Sequence, residues 1–276
     1  MQQQFHTTHK ENSMTLSQMC RTSFATFIIF SLAATLAAKA SGQTASPGVK
    51  SVVLVHGAWA DGSSWSKVIP LLQAKGLNVV AVQNPLTSLA DDVAATKRAL
   101  ALLDGPVVLV GHSYGGVVIT EAGNDPKVVA LVYVAAFAPG DGESVASMSK
   151  PYPPPPLGAE LRPDAQGFLS VTPKGIAEDF AQDLSPMEKK LLTATQGATN
   201  SAAFGANITT AAWKTKPSWV LIASQDRAIP PELEKAEAAA IKATSITVAS
   251  SHVAMLSHPK EVAALIEQAA AKAGTK

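Results

Sequence analysis

The chain has 276 residues, 47 % of them hydrophobic, with 22 basic and 21 acidic side chains and a formal net charge of +1. Near-neutrality removes the electrostatic case for a nucleic acid or an anionic membrane surface as partner. A single cysteine, Cys20, excludes a disulfide framework and a thiolate metal site. The length suits one α/β domain carrying an insertion better than two domains.

Residues 1–40 read as a secretory signal peptide rather than as fold. Lys10 and Arg21 precede an apolar run from Phe24 to Ala38, and Ala38-Lys39-Ala40 then offers small-x-small cleavage after Ala40. Met14 is an alternative start that would give a more usual signal length, and an uncleaved anchor is the competing reading, although the run is short for a membrane span. Cleavage would leave 41–276 as the mature domain, near neutral and without cysteine, in a secreted or periplasmic location with no stable membrane anchor.

Six short apolar runs then alternate with helical patterns. Val52–Val55 is followed by helical spacing over 64–75, with Gly76 closing it, and by a buried strand Val79–Val82. Leu89 to Leu103 reads as an amphipathic helix with Asp91 and Asp92 in its first turn. Val107–Val110, Val128–Ala136, Trp219–Ala223 and Ile246–Ala249 complete the runs, with helices expected at about 117–122, 231–242 and 259–273. Buried runs separated by helices predict an α/β fold: a mostly parallel sheet of about six strands with helices on both faces.

One segment breaks the rhythm. From about 137 to 216 no buried strand is legible, only Gly/Pro loops, the tract Pro151-Tyr152-Pro153-Pro154-Pro155-Pro156, and helical patches near 174–182, 186–195 and 199–205. Such an interruption predicts an inserted helical cap. Its aromatics, Phe137, Phe180 and Trp213, together with Trp59, are the candidate substrate pocket, and residues 141–170 the gate.

The chemistry concentrates at Gly111-His112-Ser113-Tyr114-Gly115-Gly116, which follows a β-forming run and opens a helix. Strand, Gly-x-Ser-x-Gly and helix together describe a nucleophile elbow, with the serine at the apex of a turn so tight that its neighbours need glycine. A serine hydroxyl needs a base, and the base an orienting carboxylate. Only His252 and His258 follow Ser113; His252 stands directly after a strand, whereas His258 precedes Pro259 at a helix start. Asp226, just past the Trp219–Ala223 run, is the acid that the order Ser–acid–His favours; Asp141 and Glu143, after the preceding strand, are its rivals. The oxyanion would be held by the backbone N–H of Tyr114 and of Ala58, where Gly57 lets the chain approach closely. His56 and His112 are expected to hydrogen-bond locally.

Val55-His56-Gly57-Ala58-Trp59, the Gly111–Gly116 elbow, Asp226-Arg227-Ala228-Ile229-Pro230 and His252-Val253-Ala254-Met255-Leu256-Ser257-His258-Pro259 together resemble the α/β-hydrolase superfamily over about residues 50–273. More narrowly, they are similar to the branch of plant methyl esterases, hydroxynitrile lyases and bacterial pyrethroid-type carboxylesterases. The resemblance implies Ser113 as nucleophile, His252 as base, Asp226 as acid, and Ala58 and Tyr114 as oxyanion donors. It implies a serine esterase with no cofactor; the apolar side chains of the 137–216 segment argue for small to medium apolar carboxylic esters, and no metal site is legible. The lyase members carry threonine and lysine where Gly57 and Val253 stand here, so nothing obvious would stabilise a leaving cyanide. Lactone opening or perhydrolysis at the same site, and a non-catalytic ligand-binding homologue, are the other readings.

Overall fold

A computed structural model describes residues 48–273. The signal-peptide reading of 1–40, including its cleavage site, lies outside the described residues.

The strands are β1 (Ser51–Val55), β2 (Asn78–Val82), β3 (Val107–Ser113), β4 (Val128–Ala136), β5 (Leu161–Pro163), β6 (Phe168–Val171), β7 (Thr199–Asn200), β8 (Ser218–Ala223) and β9 (Thr244–Val248). Between them run α1 (Ile69–Ala74), α2 (Leu89–Ala101), α3 (Gly115–Ala122), α4 (Val145–Ser149), α5 (Pro173–Gly175), α6 (Pro186–Thr195), α7 (Pro231–Ala240), α8 (Ala254–Ser257) and α9 (Pro259–Ala273). Six strands form one sheet in the order β2-β1-β3-β4-β8-β9. Every neighbouring pair in it is parallel. This is an α/β-hydrolase fold.

Every residue of β1, β3 and β8 is buried. Because successive side chains point to opposite faces, both faces of the sheet are covered. The helix α9 packs on β3, β4 and β8, while α3 packs on β1, β3 and β4. The edge strands differ. Of Val79–Val82, expected as a buried strand, only Val82 is buried, and in β9 Thr244, Ser245 and Thr247 are exposed. A strand with one neighbour has less to cover it. The helical pattern over 64–75 also resolves into two pieces, a 3₁₀ turn Gly62–Trp65 and α1, whose first turn holds Pro70.

The order β2-β1-β3 places the reversal of winding between β1 and β3. The loops after their carboxyl ends therefore diverge and leave a crevice. His56–Trp59 and Ser113 stand at its lips.

The 137–216 insertion joins β4 to β8. Its three helical patches are present, as α5 extended by a π turn Ile176–Phe180, as α6, and as a 3₁₀ turn Ser201–Gly205. The cap is not purely helical, however: β5, β6 and β7 make a small antiparallel sheet. These strands have three, four and two residues, too short to show alternation. The turn between β5 and β6 did leave a sequence signal. Asp164 accepts from the N–H groups of Gln166 and Phe168, and Gly167 takes φ +84°.

Candidate active site

At the end of β3 the chain turns straight into α3, and Ser113 at the corner has φ +54°, in the left-handed region that non-glycine residues rarely occupy. The turn closes because its neighbours lack side chains. A Cβ on Gly115 would stand 2.5 Å from the Val55 carbonyl oxygen, and one on Gly57 2.6 Å from Ser113 Cβ. The helix α3 begins just after the serine, so its first N–H groups face the position where negative charge would develop.

Asp226 and His252 arrive on the loops after β8 and β9. His252 Nδ1 lies 2.5 Å from Asp226 Oδ2. The other Asp226 oxygen accepts the N–H groups of Ala228 at 2.6 Å and Ile229 at 2.9 Å, which fixes the carboxylate plane. Because the carboxylate accepts, Nδ1 carries the proton and Nε2 has the lone pair a base requires. That nitrogen is buried, with no hydrogen-bond partner among the described residues, and both His252 and Ser113 line the same cavity. The imidazole is packed on two sides, by the Phe180 ring at 5.0 Å and the His112 ring at 4.7 Å. The backbone of His252 is tied as well: His112 Nε2 donates to its carbonyl at 3.0 Å.

His112 and His56 do hydrogen-bond locally. His56 Nδ1 donates to the Gly57 carbonyl and its Nε2 accepts the Asn84 N–H, both at 2.9 Å. Burial lowers the proton affinity of each ring. The Asp226 rivals are engaged elsewhere: Asp141 pairs with Lys214 at 2.6 Å, and Glu143 accepts the Gly140 N–H. Nor does Arg227 pair with its neighbour Asp226. It reaches across to Asp179 of the cap, at 2.7 Å. His258 lies 3.7 Å from Glu261, at the start of α9.

Ala58 and Tyr114 flank the serine, both buried. The next residue, Trp59, has φ +56° and is pinned by the cap. Its N–H donates to Thr199 Oγ1 at 3.2 Å, and its indole N–H to the Leu169 carbonyl at 2.9 Å. Tyr114 is anchored through its hydroxyl, which donates to Asp92 at 2.9 Å. Burial raises the Asp92 carboxyl to about 6.

A cavity of ≈ 190 Å³ opens over Ser113 and His252. Trp59 and Phe137 line it as expected, but Phe180 and Trp213 do not. Phe180 packs instead against the His252 ring at 5.0 Å and the Trp59 ring at 6.5 Å, where the π turn carries it. The Trp213 indole donates to the Pro139 carbonyl and lines a separate cleft with Tyr152 and Lys214. Phe204 of the cap lines the Ser113 cavity too, and the remaining walls are Val145, Leu157, Leu161, Leu169 and Ile229, with Ser149, Pro155, Gly158 and Ala228. No charged side chain is among them. The proline tract, within the 141–170 segment expected to gate entry, places Pro155 in the wall, and Leu157 follows it there. Among the described residues no group of His, Cys, Asp or Glu is arranged to hold a metal ion, and no helix is long and apolar enough to cross a membrane.

The profile of the alpha/beta hydrolase family matches residues 52–265. Salicylic acid-binding protein 2 of Nicotiana tabacum is 28 % identical over 258 residues, covering 81 % of this chain and 98 % of that protein. A carbendazim hydrolyzing esterase of Nocardioides sp. is 34 % identical over 125 residues, 40 % of this chain, and the match spans about half (51 %) of that esterase. Among solved structures, polyneuridine aldehyde esterase has a TM-score of 0.68 at 20 % identity, covering 79 % of this chain and 98 % of that one. A pyrethroid hydrolase from Sphingobium faniae has a TM-score of 0.68 at 21 % identity, covering 80 % and 97 %. At those identities the structures speak to the fold alone, whereas the family profile takes in both the elbow and the His252 loop: this chain belongs to the alpha/beta hydrolase family.

Proposed function

We propose that the protein is a serine esterase that cleaves small to medium apolar carboxylic esters through an acyl-enzyme on Ser113. The observation that carries this reading is the line from Asp226 through His252 Nδ1, which leaves the opposite imidazole nitrogen unpartnered over the serine's cavity. His252 Nε2 takes the Ser113 proton as Oγ bonds to the ester carbonyl carbon, and the carbonyl electrons move onto oxygen. The N–H groups of Ala58 and Tyr114 receive that oxyanion. Collapse breaks the bond to the alcohol, which leaves with the proton from His252. Water then gives a proton to His252 and attacks the acyl carbon, and Ser113 departs with that proton, restoring the resting state. Throughout, Asp226 holds the ring in one tautomer and balances the imidazolium.

The apolar walls support the substrate class, since each Å² of ester surface removed from water contributes about 25 cal/mol and a charged group would go unpaired there. The cavity of ≈ 190 Å³ argues for a small acyl or alcohol part. A panel of p-nitrophenyl esters of graded acyl length, extended with methyl esters and lactones, tests this. The highest kcat/KM is expected for short apolar acyl groups; a preference for charged or sugar esters would overturn it. We place the enzyme outside the cytoplasm, on the strength of the apolar run and small-x-small site before Ser41. Amino-terminal sequencing of exported protein should begin at Ser41, and an intact 1–40 would contradict that placement.

A further inference from the structure

Trp59 follows Ala58 in the loop after β1, and its φ of +56° is a conformation that costs a non-glycine residue energy and persists only where the surroundings over-determine it. The surroundings here belong to the cap. Both N–H groups of Trp59 donate to it, the main-chain N–H to Thr199 Oγ1 at 3.2 Å and the indole N–H to the Leu169 carbonyl at 2.9 Å. The two acceptors are register partners, since Leu169 and Thr199 stand opposite one another in the β6–β7 pair. That pair is itself tied to the body of the domain: Asn200, the other residue of β7, donates its N–H to the Leu86 carbonyl at 2.9 Å. The Thr199 hydroxyl donates to the Gly197 carbonyl, 3.4 Å away, which leaves an oxygen lone pair for Trp59. Thr199 is buried, at 0 % exposure, and is not among the residues that line the catalytic cavity.

We propose that Thr199 is a positioning residue for the oxyanion site: by accepting the Trp59 N–H it fixes the peptide next to Ala58, and so the Ala58 N–H, before the substrate arrives. The idea rests on the esterase reading above. Ala58 is then held from both sides. On one side the Trp59 N–H is bound to Thr199; on the other, Gly57 packs so close to the serine that a Cβ on it would stand 2.6 Å from Ser113 Cβ. A donor fixed in advance acts mainly where charge develops, so it lowers the barrier more than it strengthens binding of the neutral ester. The role needs an acceptor at Oγ1 and not bulk. Valine has nearly the shape of threonine, but it would leave the Trp59 N–H buried without a partner and free the strained loop to relax. Because Thr199 does not line the cavity, that relaxation should slow every ester by the same factor.

The test compares Thr199→Val and Thr199→Ser with the wild type on short and long p-nitrophenyl esters, and with an aryl trifluoromethyl ketone. Ser113 Oγ adds to the ketone carbon, its proton passes to His252, and the ketone oxygen becomes an oxyanion with no leaving group to expel. We expect Thr199→Val to lower kcat about 10-fold with KM within about twofold, the scale of a buried N–H left without its acceptor. The ketone's inhibition constant should rise by about the same factor, which a loss of stability alone would not produce. Thr199→Ser keeps the acceptor and should return kcat to within about threefold of wild type. Should the valine variant fail to fold, Thr199→Ala takes its place with the same expectations. An unchanged kcat in the folded hydroxyl-free variant, equal loss in it and in Thr199→Ser, or a loss confined to KM or to some acyl lengths would overturn the proposal and leave the esterase reading standing. A folded wild type inert towards every ester and towards the ketone would instead defeat the esterase reading, and the proposal with it.

Discussion

At the carboxyl edge of the sheet, Ser113 and Asp226 stand on turns that the fully buried strands β3 and β8 hold in place, and His252 stands on the loop after the edge strand β9. Across the cavity, the insertion presents Leu157, Leu161, Leu169 and Phe204 on elements of three to five residues. The first region is set by the global fold, since moving the serine means breaking β3 or the elbow. The second is a patchwork fastened by individual bonds: Trp59 to Leu169 and Thr199, Arg227 to Asp179, and Ser251 to Asp183. Changes at the sheet edge should therefore suppress turnover of every ester alike. Changes in the cap's cavity wall should redistribute activity among esters.

The largest expected effect is Ser113→Ala, which removes only a hydroxyl. It should lower kcat by about 10⁴-fold or more on every p-nitrophenyl ester while leaving the circular dichroism spectrum unchanged. A tenth of wild-type activity remaining would move the nucleophile elsewhere. Asp226→Asn should cost on the order of 10⁴-fold because the amide cannot fix the imidazole tautomer, and Asp141→Asn less than about twofold. Steady-state rates on one ester decide the order, and its reversal would put the acid after β4.

Why those residues were readable, and the pocket was not, follows from the same contrast. An elbow serine needs a strand before it, a helix after it and glycines around it, and all three constraints act within ten residues of chain. Asp226 and His252 are legible because parallel strands deliver their loops to one edge. Pocket residues obey no such local rule. Phe180 and Trp213 have the right composition, but one packs on the His252 and Trp59 rings and the other hydrogen-bonds to Pro139 in a different cleft. Leu161 and Leu169 enter the cavity through a hairpin whose strands are too short to announce themselves.

A middle-sized effect combines folding with function. Gly115→Val would drive a Cβ into the Val55 carbonyl, 2.5 Å away. Overpacking of that kind costs about 1–3 kcal/mol, so Tm in thermal melts should fall by several degrees together with activity. Unchanged melting would mean that the elbow is looser than its backbone implies. On the cap side, Phe204→Ala should leave kcat on the best ester within about threefold but shift the preferred acyl length upward, changing kcat/KM ratios by about tenfold. The Phe204 ring packs at 5.7 Å from both Trp59 and Tyr114 and lines the cavity, so its removal enlarges the site. A uniform loss across acyl lengths would erase the distinction between the two regions.

The smallest effect concerns the seam between them. Glu237 accepts the N–H of Ala138 where the chain leaves β4 for the cap, and burial raises its carboxyl to about 8. The native state thus holds this proton more tightly than the unfolded chain, whose carboxyl titrates near 4.5. The resulting stability is complete below that lower value and is lost as pH rises through about 8. Thermal melts should show Tm of the wild type falling across this window more steeply than that of Glu237→Gln, and parallel curves would contradict the assignment.

The proposed esterase activity depends first on Ser113 being a nucleophile activated by His252. The measurement is covalent labelling of the folded protein by a fluorophosphonate, with the modified residue located by peptide mass spectrometry. Stoichiometric labelling of Ser113 is predicted, blocked by Ser113→Ala and slowed by orders of magnitude in His252→Ala. A folded wild type that stays unlabelled, or labelling at another serine, would contradict it.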